Sequence, residues 1–332
     1  MKQQYFKYSL ILLTVLWSVN LKAQQLAQYS QYLDNYYLIN SAATNVQNNL
    51  QLNFGFRHYW TDFQGSPKTV YLTAYAPLSK PDVSQHMQSA MRLTDNLDTT
   101  NLTTTLVPRS THIMGMIVTQ DDIGLFRKTT NHLTYSFHMQ LTQQLQIAVS
   151  PKLGWVHLSI NEDLRVLEEN DQPFQDFVDN YQRQGMMDLG FGLWLYSDRL
   201  FLGYSLEQLT RNRGFNSQEV DGFEFQPHHF LMAGHRFKLS PRINLIPHML
   251  IRYVSGSSSS IDYSVRAEYG QRFWAGLSYR RQNALVMIFG VVISDQLSFG
   301  YSFDHSTNIS TLNRINAHEF SLSMNLLQNL YK

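Results

Sequence analysis

Histidine is the side-chain type in this sequence that could most readily hold a metal ion or move a proton. The chain has 12 histidines and no cysteine, so thiolate metal sites and a disulfide framework are excluded. His132 and His138 share the polar face of one predicted strand, but their spacing along an extended chain is too wide for one metal ion. We therefore predict no metal site and expect these histidines to form hydrogen bonds.

A hydrolytic site would require a serine, a histidine and a carboxylate or carboxamide aligned on one face. Asp304, His305 and Ser306 are consecutive in the chain. Neighbouring residues of a strand point to opposite faces, so this triplet has the wrong geometry for catalysis. The sequence therefore predicts a protein that is not an enzyme and needs no cofactor.

Charged residues recur on the polar faces of the predicted strands. An arginine facing lipid at the middle of a bilayer would cost about 2–4 kcal/mol, so we expect these residues to face a lumen. There they could pair with one another and fill the interior, or they could line a polar conduit. The residues concerned are Arg57, Arg252, Arg266, Glu268, Arg272, Arg280 and Glu319.

The elements that would position these residues are strands with alternating apolar and polar side chains. In Gln296–Asp304, for example, Leu297 and Phe299 share one face while Ser298 and Gly300 share the other. A period of two is that of a strand, and the stretches of roughly 9–12 residues match strands that cross a bilayer at a tilt. About fourteen such stretches predict an all-β fold, a transmembrane antiparallel β-barrel in the cell outer membrane.

The predicted strands are Leu52–Trp60, Lys68–Leu78, Thr111–Gln120, Asn131–Leu141, Leu145–His157, Met187–Ser197, Leu200–Gln208, His228–Leu239, Arg242–Val254, Ile261–Tyr269, Arg272–Arg280, Leu285–Ile293, Gln296–Asp304 and His318–Leu326. Leu285–Ile293 is apolar throughout and could be buried on both sides. The other strands mostly place one apolar face toward lipid.

Residues 1–23 are predicted to be a secretory signal peptide. Lys2 and Lys7 precede the apolar run Leu10–Trp17, and the segment ends at the small residue Ala23. The apolar run is too short to span a membrane as a helix, and an uncleaved anchor is the alternative. No cysteine follows that could carry a lipid.

Composition supports a barrel and argues against other classes. Charged residues make up 15% of the chain, below the roughly 25% typical of soluble domains. The mean hydropathy of −0.28 excludes a protein of many membrane helices. A net charge of +1 gives no reason to expect a nucleic-acid partner.

Three units follow from this reading: the signal peptide, residues 24–50, and a barrel over residues 51–332. The segment 24–50 is rich in Tyr, Gln and Asn and does not alternate, so it could plug the lumen or lie in the periplasm. From Leu141 onward, short and long connections alternate, and short periplasmic turns with an even strand count place both termini in the periplasm. Residues 79–109 are the exception, because they form a long connection on the periplasmic side. They could hide two strands, form a disordered insertion, or provide a docking surface for a periplasmic partner.

Two segments could contact a partner protein at the outer face. The predicted loop 159–184 is acidic and carries Phe174 and Phe177 between its carboxylates, which suits either simple solvation or partner binding. The turn 60–67 holds Trp60, Phe63, Gly65 and Pro67. Its aromatic side chains could anchor at the membrane interface or brace the outer mouth for a partner.

Two local motifs resemble those of the PorP/SprF family of outer-membrane proteins of the type IX secretion system. The first motif begins with Tyr29-Ser30-Gln31-Tyr32 and continues to Asn40, matching a family pattern that reads Y-S-Q-Y and then N-P-A. The second motif runs from the first predicted hairpin into its turn. Its matching residues are Arg57, Trp60, Phe63, Gly65, Pro67 and Thr69. Ser41 stands where the family has a proline, and Asp62 where it has a glycine.

The resemblance covers the whole mature chain and implies a non-enzymatic role in protein secretion. It implies partners that are secreted or surface proteins with a C-terminal sorting domain, including gliding adhesins, and other type IX secretion components. It also implies contact with outer-membrane lipid. The alternative is a passive or solute-specific porin, for which an unplugged, water-filled lumen is required.

Overall fold

The computed structural model describes residues 28–46, 50–59, 65–78, 110–160, 183–210, 226–254, 259–281, 283–307 and 316–326. The predicted signal peptide, the long connection 79–109 and most of the acidic loop lie outside these ranges. Among the described residues, no helix is long and apolar enough to span a membrane. Two short 3₁₀ helices, η1 (Gln31–Leu33) and η2 (Tyr36–Leu38), precede the first strand.

The strands are β1 (Leu50–Tyr59), β2 (Lys68–Pro77), β3 (Ser110–Ile123), β4 (Phe126–Gln140), β5 (Gln146–Ile160), β6 (Arg183–Tyr196), β7 (Leu200–Glu207), β8 (His228–His235), β9 (Phe237–Ser240), β10 (Ile243–Val254), β11 (Ser260–Tyr269), β12 (Phe273–Arg280), β13 (Ala284–Ser294), β14 (Leu297–Ser306) and β15 (Asn316–Leu326). β8 and β9 both pair with β10 and are two parts of one spanning strand, interrupted at Arg236.

Antiparallel pairing closes the sheet into a barrel. β1 pairs with β2 on one side and with β15 on the other, and β10 likewise joins β8 to β11. With β8 and β9 counted together, the described part of the chain forms a closed barrel of fourteen strands. The predicted architecture and approximate strand count are confirmed.

The two faces of the barrel follow the alternation in the sequence. Large apolar residues on the outer face are exposed, as at Leu133 (64%) and Leu153 (52%), while their neighbours His132 and Lys152 are buried. Lipid therefore covers the apolar face, and the polar face points inward. Arg57, Arg266, Arg280, Glu268 and Glu319 are all buried on the inner side, as predicted.

Arg272 is the exception among the predicted lumen residues. It lies in the tight turn between β11 and β12 and is exposed, because β12 begins only at Phe273. The apolar strand β13 also has a specific explanation. Val286 and Ile288 are buried against an internal apolar cluster, while Leu285 and Phe289 are exposed on the outer face.

Candidate functional site: the plugged lumen

The lumen is occupied by residues 28–46, which we call the plug. Plug side chains or backbone atoms bond to strands all around the barrel, from Thr73 on β2 through Ser150 on β5 to Glu319 on β15. Most plug residues are buried, and contact with every side of a closed barrel is possible only from within. The sequence allowed this segment to plug the lumen or to lie in the periplasm, and the structure places residues 28–46 in the lumen.

A cluster of buried charges holds the beginning of the plug. Arg57 on β1 donates to Ser30 Oγ at 2.8 Å, to Glu319 at 2.8 Å and to Asp304 at 2.7 Å. The backbone N–H of Ser30 donates to Glu319 at 2.7 Å, and Arg280 lies 3.3 Å from Asp304. Each buried charge therefore has an opposite charge and a hydrogen-bond partner, the condition under which burial is tolerated.

Asp34 forms a second ionic anchor in the middle of the plug. Its carboxylate accepts from Arg266 on β11 at 2.5 Å and from the indole N–H of Trp274 at 3.2 Å. Arg266 also donates to the backbone carbonyl of Leu33 at 2.9 Å.

Asn40 fixes the later part of the plug to the barrel wall. Its side-chain amide donates to the carbonyl of Leu193 on β6 at 2.9 Å and to that of Tyr204 on β7 at 3.2 Å, while its oxygen accepts from the N–H of Ala42 at 3.0 Å. Gly192 makes this approach possible, because a Cβ at that position would overlap Asn40 Oδ1. The wall and the plug are complementary at this point.

Aromatic side chains fill the space between these polar anchors. Tyr36 packs against Trp194 and Phe201 with ring centroids 5.7 and 5.2 Å apart, and Trp194 stacks on Phe201. Tyr37 contacts Tyr75 at 4.8 Å and bonds Thr134. Such packing in a buried site adds apolar stabilisation to the ionic contacts.

A cavity of about 60 Å³ remains beside the plug. Tyr29, Leu38 and Ile39 contribute the plug side of its lining. The wall side carries mixed charges from β3 to β7, where Lys152 pairs with Glu207 and His132 lies 2.9 Å from Asp188. The cavity is therefore polar and internally paired on one side and apolar on the other.

The motif residues singled out from the sequence divide into two groups. Ser30, Gln31, Tyr32, Asn40 and Arg57 are almost completely buried, and Tyr29 is half-buried beside them. The structure thus brings together the two halves of the family pattern, one on the plug and one on β1. A partner protein cannot touch these buried side chains while the plug is in place.

The remaining candidates lie at the ends of the strands or outside the described residues. Gly65 is exposed with a φ of 76°, and the carbonyl of Pro67 accepts from the N–H of Tyr59 at 2.9 Å. These contacts close the β1–β2 hairpin. Trp60, Phe63, Phe174 and Phe177 fall outside the described ranges.

Sequence reasoning overlooked Asp34, Trp194 and Gly192 as plug contacts. Asp34 is the one carboxylate in a segment otherwise rich in Tyr and Asn, which is the available signal for an ionic anchor. The two strand histidines are separate, as predicted: His132 bonds Asp188, and His138 bonds Thr44 and Tyr196. No group of metal ligands occurs among the described residues.

These observations define a β-barrel membrane protein whose lumen is closed by its own N-terminal segment. The sequence profile described as type IX secretion system membrane protein PorP/SprF matches residues 21–324. The chain belongs to this PorP/SprF family, and it is an outer-membrane protein. No curated protein matches the sequence.

Solved structures confirm the fold. The CymD monoaromatic hydrocarbon channel is similar over 90% of this chain and 92% of its own, with a TM-score of 0.50 and 11% identity. A TodX deltaS2S3 mutant monoaromatic hydrocarbon channel is similar over 88% of this chain and 94% of its own, with a TM-score of 0.51 and 11% identity. At this identity the similarity concerns the barrel alone. The family and these channels are secretion or transport proteins, not enzymes.

Proposed function

We propose that this protein supports the export or surface attachment of a partner protein through the type IX secretion system. The partner is a secreted or surface protein with a C-terminal sorting domain, of which gliding adhesins are one kind, and other secretion components cooperate with the barrel. Family membership supports a place in the type IX secretion system. The plugged lumen is the observation that supports a role in holding a partner protein.

The plug argues for binding a partner at the barrel surface over conducting solutes through its interior. Two ionic anchors, the Asn40 clamp and an aromatic cluster hold residues 28–46 across the lumen. If the plug moved out, Arg266 would lose Asp34 and Glu319 would lose the backbone N–H of Ser30, and each buried polar group left without its partner costs about 1–3 kcal/mol. A protein that must stay closed while it holds a partner has a use for such anchoring.

Deletion of the gene followed by surface proteomics tests the proposal. Proteins with a C-terminal sorting domain should be lost from the cell surface or medium, and a plasmid copy of the wild-type gene should restore them. Outer-membrane proteins without that domain provide the control, since general envelope damage would reduce them as well. An unchanged set of sorting-domain proteins would contradict the proposal.

The porin alternative requires an open, water-filled lumen. The residues that the structure describes place the plug across that lumen, and no observation on the barrel interior favours solute passage. Conductance measurements separate the two functions, because a porin gives stable open-channel currents and a closed barrel does not.

A further inference from the structure

The plug runs through the barrel in an unexpected direction. Its first described residue, Gln28, accepts a hydrogen bond from Tyr59, the last residue of β1, through its backbone carbonyl. The side chain of Gln28 also contacts Asn283 in the β12–β13 connection at 3.4 Å. Both contacts lie at the barrel end where β1 finishes, which is opposite to the end where β1 starts.

The later part of the plug reaches the other end of the barrel. Thr44 contacts His138 at 2.7 Å, and His138 contacts Tyr196, the last residue of β6. Tyr196 in turn bonds Gln146, the first residue of β5. Gln146 and Tyr196, which lie beside the short β4–β5 and β6–β7 connections, therefore mark this end of the barrel. β1 starts at the same end with Leu50.

The short connections identify the periplasmic end. Of the six connections where β1 starts, all but the one over residues 79–109 are short turns: β4–β5, β6–β7, β9–β10, β11–β12 and β13–β14. The opposite end carries the long β5–β6, β7–β8 and β14–β15 connections beside the short β3–β4, β10–β11 and β12–β13 ones. Outer-membrane barrels have their short turns on the periplasmic side and their longer loops outside. The chain order in the lumen is thus from the outer end to the periplasmic end. An even number of strands alone would have placed the N-terminus in the periplasm.

The length of chain before Gln28 limits where the mature N-terminus can lie. With cleavage after Ala23, four residues precede Gln28, and four extended residues span at most roughly 14 Å. The apolar band of such barrels is about 25 Å tall, so these residues are too short to return to the periplasm. We propose that the mature N-terminus is displayed at the cell surface, while β15 ends on the periplasmic side.

This arrangement adds an interaction surface that the barrel topology does not supply by itself. Gln28, the first described residue of the plug, lies beside Tyr59 and Asn283, at the face that an extracellular protein would meet. Such a protein could contact the end of the plug directly, although the buried residues further along remain out of reach. The inference is independent of the proposed role in secretion, because it rests on the chain direction, the orientation of the barrel and cleavage after Ala23.

Cysteine labelling of intact cells tests the inference, and the chain has no native cysteine to interfere. Gln25→Cys places a thiol near the mature N-terminus and leaves the cleavage site unchanged. Arg281→Cys, in the exposed β12–β13 connection, is the surface control. Asp198→Cys, in the exposed β6–β7 turn, is the periplasmic control. The probe is a membrane-impermeant maleimide, applied before and after permeabilisation of the outer membrane.

The expected result is that Gln25→Cys is labelled on intact cells to the same extent as Arg281→Cys, while Asp198→Cys is labelled only after permeabilisation. Labelling of Gln25→Cys only after permeabilisation would overturn the inference, as would labelling only after denaturation. If Gln25→Cys fails to reach the outer membrane, Leu26→Cys provides the same measurement one residue along.

Discussion

Arg57 and Ser30 join the barrel to its plug at the point where three buried charges meet. The guanidinium donates to Ser30 Oγ at 2.8 Å while it also binds Asp304 and Glu319, and all four residues are at most 4% exposed. The same arginine therefore neutralises one carboxylate on β14 and one on β15, and it also holds the start of the plug. This contact explains why the two sequence motifs that carry the family resemblance occur together.

Replacing Arg57 should destabilise the protein strongly. Arg57→Met leaves Asp304 and Glu319 buried with less positive charge, and removing one partner of a buried ion pair costs about 3–5 kcal/mol. The measurement is the free energy of unfolding of the purified protein in lipid vesicles. Arg127→Met is the matched control, since Arg127 pairs with Asp122 at a half-exposed position and such pairs contribute about 0–1 kcal/mol. Equal effects of both variants would contradict the assignment.

Replacing Asn40 should loosen the plug without opening the sheet. Asn40→Ala removes both hydrogen bonds from the side-chain amide to the carbonyls of the barrel wall. A buried polar group left without its partner costs about 1–3 kcal/mol. Hydrogen exchange should accelerate in residues 36–46 while β6 and β7 stay protected. Asn131→Ala, at an exposed position of β4, should leave exchange in the plug unchanged. If the plug of Asn40→Ala exchanged at the wild-type rate, the clamp would have no energetic role.

The position of the membrane on the outer face can be tested with two leucines, one at the middle of β4 and one just past its end. Leu133→Arg should lower the free energy of unfolding by about 2–4 kcal/mol, because Leu133 is 64% exposed near the middle of β4, at the midplane of the bilayer. Leu141→Arg should cost only about 0–1 kcal/mol, since Leu141 follows the end of β4 at the membrane boundary. Folding yield into vesicles measures both. A larger penalty at Leu141 would mean that the membrane lies elsewhere on the barrel.

The sequence predicted the barrel well because lipid and lumen impose a period of two on every spanning strand. It predicted β3 and β4 too short, since their ends leave the apolar band and lose the alternation. There Asp122 pairs with Arg127 across the tight β3–β4 turn at Gly124, and Thr69 on β2 donates to Asp121 on β3. Near such strand ends, hydrogen bonding between strands continues although the sequence no longer alternates, so the sequence pattern ends before the strand does.

The plug was beyond the reach of sequence patterns for a different reason. Residues 28–46 form two short 3₁₀ turns and bond to many strands that are distant in sequence, so no local period records their path. Asp34 finds Arg266 and Asn40 finds Leu193 only after the barrel has closed. The direction of the plug through the lumen likewise depends on contacts at both barrel ends.

Single-channel recording in a planar bilayer tests the closed lumen most directly. The wild-type protein should give no stable open-channel current, because residues 28–46 occupy the lumen. A variant that lacks residues 28–46 should conduct. If that variant does not fold, Asn40→Ala takes its place and should show intermittent openings. A stable, ohmic conductance of the wild-type barrel would contradict the account and favour the porin.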